Sequence, residues 1–316
     1  MYREQLCSLS PSSLLCIFHR PRVCFVIKTC VLISVVVLVS LFIRPLRNTL
    51  LYPVWPKPWK HVTTIDLLMM ETMTKGPENV VDLPQCLTVV KQTVTEKDPR
   101  LDAIFIYDKV SETRLKSEDH KHFLPVMNGK EKRSFIKMFL VLAESLQGAG
   151  VKFFFESGSL LGSQRHHGLI PWDDDIDIAI HVNDWLTVRG ALSCIEGYVL
   201  KVDPIMHWKF YGNTSRYPFI DIFFYTGNDE YIWAITDYTR RNLVAKKSEV
   251  FPLSYELFEG IEMPVPRFAE LIARKFFEFD YCVSRSSNHK TGEPLNEITL
   301  LCSSLTYMYN MFHLDK

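Results

Sequence analysis

Residues 156–180 read ESGSLLGSQRHHGLIPWDDDIDIAI, and the rest of the chain is organised around this stretch. A small-residue turn at Gly158-Ser159 opens a short helical run from Leu160 to Arg165. A second turn at His167-Gly168 leads through Ile170-Pro171-Trp172 into Asp173, Asp174, Asp175 and, after Ile176, Asp177. On a strand, where side chains alternate between faces, Asp173, Asp175 and Asp177 project to one side while Ile176 and Ile178 project to the other. Carboxylates crowded on one face repel unless a cation sits among them, and such hard oxygen ligands suit Mg2+ or Mn2+. The pattern predicts a strand with an apolar inner face and a metal-binding edge. An EF-hand reading fails, because counting from Asp173 puts Ile178 where that loop needs glycine and Asp184 where it needs glutamate.

A second acid stands in a similar setting. Asp221 is alone in the apolar run Phe219-Ile220-Asp221-Ile222-Phe223-Phe224. Burying an unpaired carboxylate is costly, so Asp221 either faces an edge or meets a cation. One reading places Asp175, Asp177 and Asp221 on neighbouring strands around one or two metal ions. The plainer reading is a surface acid cluster with Asp221 salt-bridged to Arg216 or Lys209. The Gly158-Ser159 turn, opening a helix, can present backbone N–H groups to a phosphate. Arg165 either pairs with a phosphate or bridges an aspartate, and Lys209 either reaches a phosphate or is solvated on its strand. His166 and His167 read as turn or surface residues, and Trp172 as packing beneath the aspartate loop.

Around these motifs the hydrophobic spacing predicts a mixed α/β sheet with helices against it. Phe135, Met138, Phe139, Leu142 and Leu146 mark a helix beginning near Lys130 and ended by Gly148 and Gly150. Val151 to Phe155 reads as a short buried strand, and Asn183 as the cap of a helix through Ile195 that stops at Gly197. Tyr198 to Val202, His207 to Tyr211 and Phe219 to Tyr225 read as strands, the last two joined around Gly212-Asn213. Arg267 to Phe279 reads as an amphipathic helix with Phe268, Leu271, Ile272 and Phe276 inward. Upstream, Asp102 to Tyr107 reads as a strand and Ser117 to His122 as a polar loop.

The N-terminal part is of another kind. Val23 to Ile43 is a 21-residue apolar run with one charge, Lys28. As a helix it would be about 30 Å long, the thickness of a bilayer core. Arg44-Pro45 follows it in place of a small-residue cleavage site, which favours an uncleaved signal anchor. Basic residues flank the run on both sides, so charge alone leaves its orientation open. The sequon Asn213-Thr214-Ser215 favours a lumenal C-terminal domain. Pro45, Pro53, Pro56 and Pro58, interleaved with Trp55 and Trp59, mark an extended stem. The organisation expected is a cytoplasmic tail (1–22), a transmembrane anchor (23–43), a stem and accessory region (44–129), a catalytic domain (130–281) and a C-terminal tail (282–316). With 316 residues, 47% of them apolar, the chain can bury a sizeable core. Its formal net charge of zero gives no support to a nucleic-acid partner. Of the eight cysteines, Cys86, Cys194, Cys282 and Cys302 lie beyond the apolar run, enough for two disulfides whose pairing stays open.

The run GSLLGSQRHHGLIPWDDDIDIAI resembles the signature of the LicD family, which includes bacterial phosphocholine transferases and animal fukutin-related proteins. The family is placed in the nucleotidyltransferase superfamily, whose pattern is a Gly-Ser turn followed by an Asp-x-Asp strand. Phe219 to Phe223 is similar to the family's second aspartate motif, and Phe258-Glu259-Gly260-Ile261-Glu262-Met263-Pro264-Val265-Pro266 to its later segment. The resemblance implies a nucleotidyltransferase-like fold and a metal-dependent phosphotransferase. Such an enzyme moves an alcohol phosphate, of phosphocholine or ribitol-phosphate type, from a CDP-activated donor to a glycan hydroxyl and releases CMP. It implies that Asp175 and Asp177 hold the metal, that Asp173 is a secondary ligand, and that Asp221 is a third ligand or the acceptor's base. It implies a type II Golgi membrane protein with a lumenal catalytic part. Two other readings compete. A Golgi glycosyltransferase would also use Asp-x-Asp, but needs an upstream nucleotide-binding βαβ unit, and none is visible before Lys130. A non-catalytic, membrane-anchored partner of a glycan-modifying complex would not need intact acids.

Overall fold

The structure is a computed structural model that describes residues 93–107, 114–203, 207–235 and 243–311, all within one compact unit. The expected membrane span at 23–43 and the proline-rich stem lie outside the described residues. Among the described residues no helix is long and apolar enough to cross a membrane.

The centre of the fold is a mixed sheet. Its strands are β1 (Phe153–Phe155), β2 (Asp175–His181), β3 (Tyr198–Lys201), β4 (Trp208–Gly212), β5 (Phe219–Gly227), β6 (Tyr231–Ala234) and β7 (Val244–Lys246). They run in the order β1-β2-β5-β4-β3, with β6 pairing to the later part of β5 and β7 pairing to β6. Strands β2 and β5 are parallel, while the other described pairs of this sheet are antiparallel. A parallel pair needs a crossover, supplied here by α3 (Trp185–Leu192) and the β3–β4 hairpin. The inner face of β2 and β5 is wholly apolar: Ile176, Ile178, Ile220 and Ile222 are fully buried.

Helix α1 (Gly129–Gly148) starts at a capping box. Asn128 accepts from the backbone N–H of Glu131, and the Glu131 carboxylate accepts from the N–H of Asn128. Its expected face is buried, and Phe139 meets the rings of Phe153, Phe155 and Phe258. Helix α2 (Ser157–Arg165) follows β1 directly, α4 (Lys247–Val250) follows β7, and α5 (Ala269–Phe276) follows the hairpin of β8 (Ser254–Phe258) and β9 (Ile261–Val265).

Several expectations change. Residues 103–107 form no strand, and the chain before them is a 3-10 turn, Pro99–Asp102. Leu101 and Ile104 nonetheless join the core, so tertiary packing rather than pairing orders this segment. Ser117 caps a 3-10 helix, Glu118–Phe123, whose Phe123 is fully buried. Asn183 sits inside a 3-10 turn, and α3 begins only at Trp185. In α5, Ala269, Ile272, Ala273 and Lys275 are buried, while Phe268, which precedes the helix, and Leu271 are exposed.

A buried ion pair ties distant segments together. Lys132 Nζ on α1 lies 2.7 Å from Glu259 Oε1 at the tip of the β8–β9 hairpin. The same carboxylate accepts from the backbone N–H groups of Leu169 (2.8 Å) and Phe105 (3.0 Å). One side chain therefore fixes the 103–107 segment, α1 and the loop before the aspartates.

The C-terminal segment folds back over the domain. Strand β10 (Tyr281–Val283) pairs with β13 (Thr299–Leu301), and the two-residue strands β11 (Ser287–Asn288) and β12 (Glu293–Pro294) pair between them. Cys282 and Cys302 form a disulfide, and Cys194 is also disulfide-bonded. The bridge closes a loop with a sequence separation of 20 residues. We expect Cys302→Ser to lower unfolding stability by about 3 kcal/mol, read by urea denaturation with and without reductant. The reduced wild-type chain should be at least as destabilised as the variant, because reduction also opens the Cys194 bridge.

Candidate metal centre: a carboxylate row across four strands

The register of the sheet assembles the site. Parallel pairing sets Asp177 on β2 directly beside Asp221 on β5. Antiparallel pairing sets Lys209 on β4 on the other side of Asp221. On the opposite flank Phe155 pairs with Ile178, which brings Glu156, the next residue, level with Asp177, and its N–H donates to the Asp177 carbonyl at 3.1 Å. Neighbouring residues in register share a face. Glu156, Asp177, Asp221 and Lys209 thus form one row across β1, β2, β5 and β4, with Asp175 two residues away on the same face of β2.

Asp175, Asp177 and Asp221 each place a ligand oxygen within 4.8 Å of the other two. Asp177 and Asp221 are 8% and 5% exposed, so this is a pocket of charge under cover rather than a solvated patch. The expected proximity of the three acids is present, and so is part of the plainer reading. Lys209 Nζ donates to both oxygens of Asp221, at 2.6 and 3.0 Å, and rests over the Phe219 ring at 3.6 Å. His207 Nε2 lies 3.0 Å from Asp221 Oδ2.

Local structure holds Asp177 from beneath. Its backbone N–H donates to Ser159 Oγ at 2.8 Å, and the Gly158 N–H donates to its carboxylate. A Cβ at Gly158 would lie 2.9 Å from Asp173 Oδ2, so a larger residue there would displace that carboxylate. Ser157, just before it, has φ 47°, a left-handed backbone that costs energy in a non-glycine residue and turns the chain sharply from β1 into α2.

The other site residues depart from expectation. Asp173 is not on β2, which begins at Asp175; it ends a turn, its N–H donating to the Ile170 carbonyl, and its carboxylate approaches Gly158. In the Gly158-Ser159 turn the Gly158 N–H donates to the Asp177 carboxylate, and Ser159 Oγ accepts from the Asp177 N–H. Arg165 is buried, its Nη1 donating to the Tyr281 carbonyl at 3.1 Å and approaching Cys302 Sγ at 3.6 Å. Arg165 therefore supports the C-terminal segment, and burial lowers its pKa to about 10. His166 is buried edge-on against Trp172, and burial holds it well below the usual histidine range. Trp172 packs beneath the aspartate loop as expected, with its Nε1–H donating to the Val283 carbonyl at 2.9 Å.

Asp174 has a separate task. It is fully buried and receives Arg285 Nη1 at 2.7 Å and His289 Nδ1 at 2.6 Å, both from the disulfide-closed loop. His289 Nδ1 also lies 3.6 Å from Asp175 Oδ2. The tail thus clamps the loop from which Asp175 emerges. Sequence reasoning assigned no role to Glu156, Arg285, His289 or His207. A charged residue directly after the apolar run Phe153-Phe154-Phe155 was the available signal for Glu156.

The electrostatics fit a cation site. Burial is the main cause raising Asp175 and Asp177 well above the usual carboxylate range, and the neighbouring acids add to it. Asp173 is raised to about 6 by burial and then by Asp174, and Glu156 to about 7 by burial, with Asp221 adding. A folded pKa above the unfolded value gives stability that is present at low pH and lost as pH rises through the folded pKa. The metal-free chain should therefore lose stability as pH rises from about 4 to about 7, and Mg2+ should flatten that slope. Thermal unfolding in EDTA and in Mg2+ across this range would check it. The hard oxygen donors and their spacing suit a divalent cation, with Asp221 already meeting Lys209 and His207.

Comparison with known proteins agrees with this geometry. Residues 150–268 match the family model described as LicD/FKTN/FKRP, nucleotidyltransferase domain, so this part of the chain is a domain of that family. Among curated relatives, the chain is similar to human Ribitol 5-phosphate transferase FKRP, 51% identical over 39 residues (12% of this chain, 8% of that protein). It is 27% identical to mouse Ribitol-5-phosphate transferase FKTN over 138 residues (41% of this chain, 29% of that protein). A Rickettsia typhi protein described as uncharacterised is 32% identical over 126 residues (39% of this chain, 38% of that protein). In each case the match spans less than two fifths of the relative's length. The Arg285–His289 clamp lies outside the family-matched segment.

Proposed function

We propose that this protein is a phosphotransferase that moves an alcohol phosphate from a CDP-activated donor to a glycan hydroxyl, releasing CMP. The observation that carries the reading is the in-register pairing of Asp177 with Asp221, with Asp175 alongside. Asp175, Asp177 and Asp221 would hold Mg2+ or Mn2+, which neutralises the donor's diphosphate and the charge on the leaving CMP. The chain's own groups divide the remaining work. Lys209 and His207 fix the Asp221 carboxylate, which leaves it little capacity to take the acceptor's proton, so we assign it as a ligand. Lys209, whose side chain is 30% exposed, retains N–H bonds for a phosphate oxygen. The Ser159 hydroxyl and Gly158 N–H keep Asp177 oriented, and the Arg285–His289 clamp orients Asp174 and hence Asp175. Asp173 lies just beyond the trio and adds negative charge.

Ribitol phosphate is the alcohol phosphate that the relatives' names support, and phosphocholine is the other type that the family resemblance supplies. The disulfides favour an oxidising compartment, in keeping with a Golgi protein anchored by residues 23–43 with its domain in the lumen. The test is release of CMP or UDP by the purified full-length chain given CDP-ribitol, CDP-choline or UDP-sugars with Mg2+ or Mn2+. CMP release from a CDP-alcohol is expected. UDP release alone would assign a glycosyltransferase, and no release with any donor would favour the non-catalytic partner.

A further inference from the structure

Glu156 is 3% exposed, and neither of its carboxylate oxygens accepts a hydrogen bond of ordinary geometry, although the adjacent Ser157 hydroxyl lies close enough to favour its charge. A buried acid left in this state is costly, and native structures rarely keep one without a purpose. Apart from the adjacent Ser157 hydroxyl, its surroundings supply no donor. On one side the cleft that Glu156 lines is walled by Phe154, Leu160, Leu243, Ala245 and Phe276. On the other lies Asp177, an acceptor like itself. The cationic group of the row, Lys209, is bound to Asp221, with two aspartates intervening, and His207 also contacts Asp221. Glu156 also lies outside the three-aspartate group whose oxygens approach within 4.8 Å, so it is not placed as a direct ligand of the same ion.

We propose that Glu156 is a positioning residue of the metal centre, accepting hydrogen bonds from water on a cation held by Asp175, Asp177 and Asp221. This rests on the reading of that trio as a metal site. Mg2+ dehydrates reluctantly and keeps several waters when only a few carboxylates reach it. Those waters are strong donors, and a second-shell acceptor orients them and adds to affinity. The strained Ser157 and the Glu156 N–H bond to the Asp177 carbonyl hold Glu156 at that distance. The hydrated cation supplies the donors that the protein withholds.

The experiment is titration of the full-length chain with Mn2+ alone, followed by electron paramagnetic resonance, for wild type, Glu156→Gln and Asp177→Asn. Metal-free thermal unfolding is measured on the same samples. Glu156→Gln should bind Mn2+ about 10- to 100-fold more weakly while its metal-free midpoint is unchanged or raised. Asp177→Asn should lose binding altogether. If Glu156→Gln binds Mn2+ as wild type does while Asp177→Asn does not, Glu156 has no part in the centre and the proposal fails by itself. Weaker binding together with a lowered metal-free midpoint would give Glu156 a folding role and also overturn it. Absence of Mn2+ binding by the wild type would overturn the trio and this inference together.

Discussion

Asp177→Asn should leave a folded chain that releases CMP from a CDP-activated alcohol at least about 100-fold more slowly than wild type. Asp177 stands between Glu156 and Asp221 in the row, so it has an acid on either side. Without a cation those neighbours oppose its charge, and burial opposes it further. The same substitution should therefore raise the metal-free unfolding midpoint, because it removes a buried like charge. A loss of catalysis joined to a gain in stability is the signature of a residue kept for chemistry. Steady-state CMP release and thermal unfolding in EDTA read the two effects separately. A variant that loses stability and activity together would make Asp177 a structural residue.

The largest effect on stability is expected at the other buried charge. Glu259→Ala should destabilise the chain by about 3–5 kcal/mol, because it strands Lys132 without its counter-ion. The Leu169 and Phe105 N–H groups would lose their acceptor as well. Burial pulls the Lys132 pKa down, while Glu259 holds it up. Urea unfolding followed by far-ultraviolet circular dichroism gives the number. Lys132→Met combined with Glu259→Gln should recover part of the loss, since neither product then carries a buried charge. A Glu259→Ala midpoint equal to wild type would show that the hairpin tip does not organise the loop before the aspartates.

The parts of this site that were legible in the sequence are those with a local period. Asp175 and Asp177 stand two apart on a strand with isoleucines between and beyond, and Asp221 interrupts an otherwise apolar run. Those patterns foretell acids on exposed faces of strands. They do not foretell that β2 and β5 are parallel neighbours in a register that aligns Asp177 with Asp221. That alignment depends on a crossover through α3 and the β3–β4 hairpin. Lys209 was one of two cations legible as partners of Asp221, and the choice of Lys209 over Arg216 is made by β4 pairing to β5 on the side away from β2. Arg165 was misplaced because a guanidinium near a phosphate motif looks alike whether it faces the ligand or a carbonyl 116 residues away. His289 and Arg285 had no signal, since only the folded-back tail brings them to Asp174. In α5 the helical period was visible, but the buried face runs through Ala269, Ile272, Ala273 and Lys275 rather than through Phe268 and Leu271.

Anomalous scattering from crystals grown with Mn2+ and a CDP-activated alcohol would test the central claim most directly. The account predicts a manganese peak enclosed by the carboxylates of Asp175, Asp177 and Asp221, with the diphosphate against it. A peak elsewhere, or a bound nucleotide with Lys209 still filling that space and no metal between the three aspartates, would contradict it.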